Sequence, residues 1–436
     1  MSEVFIENEN KTELFFGWKV VAAFLVVLTF TSGLSFYNHA IILNALSQQP
    51  AFSVQSASIA VSVFFISGGF TGLWVAKMLA NSDARVCITF GAIISFISLT
   101  ALSFVKTNAQ LYAVYVLFGV GFSASGLIPA TTLVTRWFKR RRSVALSIAS
   151  TGLSLGGVVL TPISALLVEN FGLSKAAPMM GMMYLLGTIP IAWLWIRPSP
   201  ESMGLQVDGD CHATRSVKDK ERELLSSAVV SPAVMNPTAV RASDGISFRE
   251  ARRGGFFWGV SFSYIFLMMA QVGGIAHQYG LAKESLTEQQ TVMAVAILPI
   301  ASIIGRLVGG WLIEQFSIRA FAVLMMILQV LSLSLLSLGF GLATLCIGLA
   351  LFGITVGNLL MLQPLLIAEA FGLKQYARIF SVSNLMTSWG TACGPALLGW
   401  VYTLSSQSYS VPYLVAAAAG SLGLICFYLG GPMRKV

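Results

Sequence analysis

Thr291-Val-Met-Ala-Val-Ala-Ile-Leu-Pro-Ile-Ala-Ser-Ile-Ile-Gly-Arg306-Leu-Val-Gly-Gly-Trp-Leu-Ile313 is a run of 23 residues that carries one charge. About 20 apolar residues in helical form cross the roughly 30 Å hydrocarbon core of a bilayer. The run therefore reads as a membrane span with a guanidinium well inside it. Placing a cation there costs about 2.5–3.5 kcal/mol on insertion scales, so intramembrane charges face a cavity and mark a pathway for something of opposite sign. The expected cargo class is an anion.

The rest of the chain supports the membrane reading. Of 436 residues 56% are hydrophobic and only 10% charged, and mean hydropathy is +0.78. A soluble domain has roughly 25% charged residues. Turn and charge clusters separate twelve apolar runs, near 18–45, 55–79, 86–105, 110–134, 144–168, 176–197, 256–280, 290–313, 319–338, 341–368, 379–403 and 411–431. The expected fold is all-α, a polytopic protein of twelve transmembrane helices.

The acid-rich start, Met1 to Glu13, lacks the basic and apolar regions of a cleaved signal peptide. Cys87, Cys346, Cys393 and Cys426 lie in apolar runs and Cys211 in a polar one, with no pair at metal-ligand spacing. No metal or other cofactor is expected. A net charge of +9 could point to nucleic acid, but its distribution does not. The cluster Arg136-Trp-Phe-Lys139-Arg140-Arg141-Arg142 fills a short connection, and Lys77, Arg85, Arg319, Lys374, Arg378, Arg434 and Lys435 share its side by parity. Only Lys106, Lys175 and Lys283 fall in opposite loops. The positive-inside rule then places both termini in the cytoplasm and removes the need for a nucleic acid partner.

Between Arg197 and Arg253 the hydropathy collapses around Asp208, Asp210, Lys218, Asp219, Lys220, Glu221, Arg222 and Glu223. This segment reads as a linker without a fold of its own. The expected organisation is an N-terminal segment 1–17, a six-helix bundle 18–197, a cytoplasmic linker 198–252, a second bundle 253–431 and a tail 432–436. The two bundles match when shifted: Arg136-Trp-Phe138 falls on Glu369-Ala-Phe371, Ser150 on Ser383, Gly157 on Gly390 and Pro162 on Pro395. Duplicated halves with a site near mid-membrane between them are a transporter signature. Small-residue pairs at Gly68/Gly72, Gly152/Gly156, Gly305/Gly309, Gly353/Gly357 and Gly390/Gly394 let helix backbones approach closely.

Gly17-Trp18 at the first span, the basic loop Arg136–Arg142 followed by Ala145 and Gly152, and Gly305-Arg306-Leu-Val-Gly-Gly310 continuing to Glu314 and Arg319 stand in a recognisable order. Pro364, Ala368-Glu369-Ala-Phe-Gly372 and Gly394-Pro395 follow. Over nearly its whole length the chain resembles the major facilitator superfamily, and within it the monocarboxylate transporter and oxalate/formate antiporter group. The resemblance implies two pseudo-symmetric six-helix bundles, with Arg306 of the eighth span binding a substrate carboxylate. A planar guanidinium suits that role, since it forks onto a carboxylate and stays charged. The competing use of Arg306 is to snorkel to the membrane edge or cap a neighbouring helix.

Two positions depart from the group. Ser302 stands one turn before Arg306, where the animal monocarboxylate carriers have an aspartate. Phe380-Ser-Val-Ser-Asn384 to Trp389 lacks the second basic residue of the oxalate carriers. One fixed cation suits a monoanion better than a dianion. With no Asp or Glu deep in a span, His39 and His277 are the candidates for proton coupling, in Tyr37-Asn38-His39 and His277-Gln278-Tyr279. Helix-end histidines bonded to backbone are the plainer reading. Tyr37, Asn38, Gln278, Asn358, Gln363 and Asn384 are further polar residues suited to a cavity, all but Gln363 proposed to touch substrate. The resemblance makes Glu314 and Arg319, with Lys77, Asp83 and Arg85, a cytoplasmic gate, against the alternative of an ordinary positive-inside loop.

Gly152-Leu-Ser154-Leu-Gly156 imitates the nucleophile elbow of hydrolases, but it lies inside an apolar run rather than at a strand-to-helix turn. No enzyme is expected. The expected function is secondary active transport of a small organic anion, a monocarboxylate, across a bacterial inner membrane by a monomer coupled to protons. The alternatives are a carrier or exporter of a larger aromatic or amphipathic compound, and a non-transporting sensor.

Overall fold

The computed structural model describes residues 15–138, 141–209, 246–315, 317–339, 341–372 and 375–433. Ten helical runs are long and apolar enough to cross a membrane. One of them, Val144–Trp195, holds two spans, and Tyr376–Leu404 adds another, which makes twelve. The helix Arg142–Trp195 has 54 residues, about 80 Å at 1.5 Å per residue, far more than a bilayer is thick. It turns at Gly172, whose φ of 71° is open to glycine without the cost a Cβ brings. The fifth and sixth spans therefore divide where the sequence divides them.

The remaining spans are Gly17–Leu34 with His39–Ser47, Val54–Asn81, Ala84–Leu102, and Asn108–Ser125 with Leu127–Trp137 in the first half. The second half holds Gly255–Ser285, Glu288–Gln315, Ile318–Ser337, Gly341–Phe371, Tyr376–Leu404 and Ser410–Leu429. Starts are fixed by local chemistry. Ser53 with Ser56 and Thr107 with Gln110 form reciprocal capping boxes, and Asp83 and Ser317 cap the third and ninth spans.

Two spans expected to be continuous are broken. In the first, Thr29, Thr31 and Ser35 turn their hydroxyls back onto the carbonyls of Leu25, Leu28 and Thr31, and Tyr37 N donates to Ser32 O five residues back. Side chains that compete for helical carbonyls bend a helix, and here Ser35 leaves it. The fourth breaks at Gly126, which sits at φ −92° and ψ −133°. The linker also shortens. The helix Phe248–Ala251 starts in a capping box, and Ile246 N and Phe248 N donate to Phe371 O at 3.1 Å and Gln375 Oε1 at 2.7 Å. That end of 198–252 is part of the second half; its residues 210–245 lie outside the described ones.

Glycine pairs set the packing within each half. A Cβ on Gly152 or Gly156 would meet the carbonyl oxygens of Leu25 and Thr29 in the first span at 2.1 and 2.3 Å. Gly390 and Gly394 stand in the same way on Ile265 and Met269 of the seventh span, at 1.9 and 2.3 Å. Gly152 thus plays the part of Gly390, whereas the sequence match aligned Gly157 with it. Gly157 faces Tyr37 and Pro299 instead.

Two apolar clusters at the end of the molecule that carries the termini are each confined to one half. Val20, Phe24, Leu133 and Trp137 belong to one, and Phe257, Met326, Leu362 and Phe371 to the other. At the far end a single cluster joins Tyr37, Ala40, Ile41 and Ala165 of the first half to Ile275, Tyr279, Ala294, Val295 and Leu298 of the second. The halves are fused at the far end.

Candidate functional site

Arg306 lies nine residues from Gln315 and eighteen from Glu288, about 14 and 27 Å along the helix axis. Its Nη1 donates to Ser150 O of the fifth span at 3.0 Å and its Nε to Gly357 O of the tenth at 3.3 Å. Among the described residues no carboxylate pairs with it. Two of the five guanidinium N–H groups are therefore engaged, by helix carbonyls, and three remain. Asn358 braces the same level, its Nδ2 donating to Gly305 O and Ile354 O at 2.9 Å each. A Cβ on Gly309 would lie 1.9 Å from Asn358 Oδ1, so the eighth and tenth spans touch there because glycine permits it.

The fifth and eighth spans run antiparallel across the junction of the halves. Ser150 meets Arg306, Ser154 Oγ meets Ser302 Oγ at 3.2 Å, and a Cβ on Gly157 would be 2.8 Å from Pro299. As one helix advances a turn the other retreats a turn, which keeps the seam in register. The Tyr37 ring lies against Gly157, and its phenol stands beside Ser154 and Ser302 in the field of Arg306. Tyr37, Arg306 and Asn358 are thus brought together, with Ser150, Ser154 and Ser302 added. Sequence had marked Ser154 only as part of a false elbow and Ser302 only as a departure. The signal that links them is the i, i+4 spacing of small polar residues on two different spans.

The other candidates lie elsewhere. Asn38 Nδ2 donates to Leu34 O at 3.3 Å and approaches Met180 Sδ at 3.1 Å, inside the first half. His39 is 1% exposed among the rings of Phe64, Phe65, Tyr115 and Phe118, at 4.4 to 6.0 Å between centroids, and neither ring nitrogen has a partner. Gln278 is buried with both amide atoms unpartnered. Asn384 is exposed on the eleventh span. Gln363 donates to Ser383 Oγ at 3.1 Å and Thr387 Oγ1 at 2.9 Å, within its own half.

His277 has a different place. Its Nε2 is 3.1 Å from Pro395 O and 3.3 Å from Ser58 Oγ, so it sits where the second, seventh and eleventh spans meet. Ser62 Oγ accepts from Ala396 N at 3.1 Å in the same contact. These two bonds, with Arg306–Ser150 and Ser154–Ser302, join the halves, and the Tyr37 phenol adds its contact with Ser302. All lie at the level of Arg306 or farther from the termini.

The charges expected to form a gate make their described contacts within their own halves. Arg85 grips Asp83 through Nη2 at 2.6 Å and Nε at 2.9 Å and lies over Trp193 at 5.1 Å. Partial burial works to raise the Asp83 carboxyl, but the hydrogen bonds from Arg85 outweigh it and hold it below its ordinary value. Lys77 is exposed, and Arg319 lies over Phe427 at 5.8 Å. The side chain of Glu314 lies outside the described residues.

Comparison with known proteins agrees with this architecture. The chain matches the Major Facilitator Superfamily over residues 25–282 and again over 260–435. It is 23% identical to Monocarboxylate transporter 7 of Homo sapiens, over 96% of this chain and 86% of that one. Monocarboxylate transporter 12-B of Danio rerio is 24% identical over 81% and 74%, and the Benzoate transport protein of Acinetobacter baylyi 23% over 95% and 89%. A crystal structure of a POT family transporter in complex with 5-aminolevulinic acid has the same fold, with a TM-score of 0.69 at 14% identity over 94% of both chains. Its two six-helix halves, its twelve spans and these relatives make it a transporter and not an enzyme: the chain belongs to the Major Facilitator Superfamily.

Proposed function

We propose that the chain carries a small organic monoanion, a monocarboxylate, across a bacterial inner membrane together with a proton. In this reading it works as a monomer with both termini, the Arg136–Arg142 loop and the 198–252 linker in the cytoplasm, where the basic residues concentrate. The observation that carries the proposal is Arg306, a guanidinium deep in a span, at the junction of the halves, with three N–H groups uncommitted and no carboxylate beside it among the described residues. A substrate carboxylate supplies the missing counter-charge and accepts two parallel hydrogen bonds. The relatives' names agree in kind, since monocarboxylates and benzoate are both organic anions.

Alternating access follows from rocking one half on the other about this site. In the conformation described, the halves are fused on the side of His39 and His277, so the anion reaches Arg306 from the side of the termini. Tyr37 and Asn358 frame it, and Ser154 and Ser302 offer hydroxyls one turn farther on. Asn38, Gln278 and Asn384 enter the cavity as the halves move. His277, in the contact that must part when the far side opens, is placed to exchange a proton there, and His39 is its counterpart in the first half. Lys77, Asp83, Arg85, Glu314 and Arg319 close the cytoplasmic side in the opposite state.

The test is counterflow in proteoliposomes with a panel of labelled monocarboxylates from acetate to benzoate. Exchange of at least one of them, stimulated by an inward proton gradient, is the expected result. Binding without exchange of any makes the chain a sensor and overturns the proposal.

A further inference from the structure

The helix of the first span begins at Gly17 and that of the sixth ends at Trp195. Between them, on the side of the termini, lies a groove of about 390 Å³ lined by Phe16, Trp18, Lys19, Ala22 and Trp195. Lys19, Ala22 and Trp195 are exposed along it. The Lys19 ammonium stands 5.5 Å from the centre of the Phe16 ring, and among the described residues no carboxylate pairs with it. The groove therefore combines an apolar wall, two indoles and a cation with no described counter-charge, at the ends of two apolar helices.

Each part selects the same kind of ligand. Tryptophan at the membrane boundary sits at headgroup level, with its ring against the lipid and its N–H toward water. A lysine near a helix end lays its stem on apolar surface and offers its charge at the interface. Positive loops alone explain cations near the cytoplasm, but they do not build a groove around one.

The second half repeats the construction where its own first and last helices meet. A groove of about 530 Å³ is lined there by Arg253, Phe256, Phe371 and Gly430. Glu250 also lines it and accepts hydrogen bonds from Ser247 N at 2.8 Å and Ser247 Oγ at 2.9 Å. Both grooves are lined by a cation and by aromatic rings.

We propose that the groove between the first and sixth spans binds an anionic phospholipid, with its headgroup phosphate on Lys19 and an acyl chain along Ala22 and Trp195. The site is separate from the Arg306 seam and does not depend on what is transported.

Tryptophan fluorescence of the purified full chain in detergent tests it. Phosphatidylglycerol and phosphatidylcholine with the same brominated chains are titrated, and the contributions of the two indoles among the nine tryptophans are isolated with Trp18→Phe and Trp195→Phe. Phosphatidylglycerol is expected to quench at a several-fold lower concentration, the difference carried by Trp18 and Trp195, lost in Lys19→Gln and kept in Lys19→Arg. The two tryptophan variants read the contact without altering the charge. Equal quenching by both lipids, or a preference unchanged in Lys19→Gln, overturns the proposal. Displacement of the lipid by inorganic phosphate at matching concentration would make this a site for a free anion and overturn it as well.

Discussion

Arg306→Lys separates a carboxylate fork from a mere positive charge. Lysine keeps the charge on a long stem, so a residue needed only to place charge at this level would tolerate the exchange. The guanidinium commits Nη1 to Ser150 O at 3.0 Å and Nε to Gly357 O at 3.3 Å, and still offers three N–H groups in one plane. An ammonium has three donors in all. Holding both carbonyls leaves it one, and it cannot grip a carboxylate with two parallel hydrogen bonds. One charge-assisted hydrogen bond contributes about 1.5–3 kcal/mol, which corresponds to a roughly ten- to hundredfold weaker Kd. The assay is equilibrium binding of a transported monocarboxylate to purified wild type and variant at equal folded fraction. Equal affinities would remove Arg306 from the site, and with it the main physical reason for an anionic substrate.

Gly157→Val places a side chain where a Cβ already lies 2.8 Å from Pro299 and 2.9 Å from the Tyr37 ring; overpacking of about 1–3 kcal/mol should part the fifth and eighth spans, read as a shift toward accessibility from the far side in cysteine labelling. Normal uptake with unchanged labelling would show that the seam does not bear on the cycle. Asp83→Asn loses the ion pair with Arg85 but keeps an N-cap acceptor, so stability should fall by less than about 1 kcal/mol. The folded-state carboxyl is held below its ordinary value, so the pair's contribution is present at neutral pH and lost as pH falls through that lowered value; melting curves of both proteins should converge at low pH, and a gap that widens on acidification contradicts the assignment. His277→Gln, His39→Gln and the double variant should flatten the pH dependence of uptake; wild-type dependence in all three rules the histidines out. A cysteine at Ser226 should resist a membrane-impermeant reagent added to intact cells, and its labelling would invert the topology.

Much of the fold was legible because its cause is one-dimensional. An apolar run of sufficient length is a span whatever surrounds it. The break in the first span is different, since Thr29, Thr31 and Ser35 are ordinary residues for a buried helix until their hydroxyls turn onto its carbonyls. The register of the repeat slipped for a related reason: Gly152, Gly156 and Gly157 lie within six residues in the fifth span, and only the carbonyls of Leu25 and Thr29 show which pair meets the first span. Arg306 was legible because a charge in hydrocarbon requires an explanation. Ser154 and Ser302 were not, because a buried serine costs little when it finds a partner, and the partner is 148 residues away. Asn38 and Asn384 show the same limit from the other side. Polarity marks a residue as unusual in a span, but the face it occupies depends on which helix lies beside it.

The position of Arg306 relative to the junction gives its hydrogen bonds a consequence for the proposed cycle. It makes the innermost of the described bonds between the halves; beyond it toward the termini the apolar clusters belong to one half or the other. An anion entering from that side therefore meets the guanidinium before any other described bond across the seam. It can accept two parallel hydrogen bonds from the N–H groups that Ser150 O and Gly357 O leave free, and its full negative charge draws the guanidinium more strongly than either carbonyl dipole does. In the proposed cycle the substrate and Ser150 O then share one guanidinium, and Ser154–Ser302 is the other described hydrogen bond between the fifth and eighth spans. Only an interaction that differs between two states can shift their balance. The Ser150 contact is where the proposed cycle would find one, since it ties the substrate-binding guanidinium to the opposite half in the conformation described.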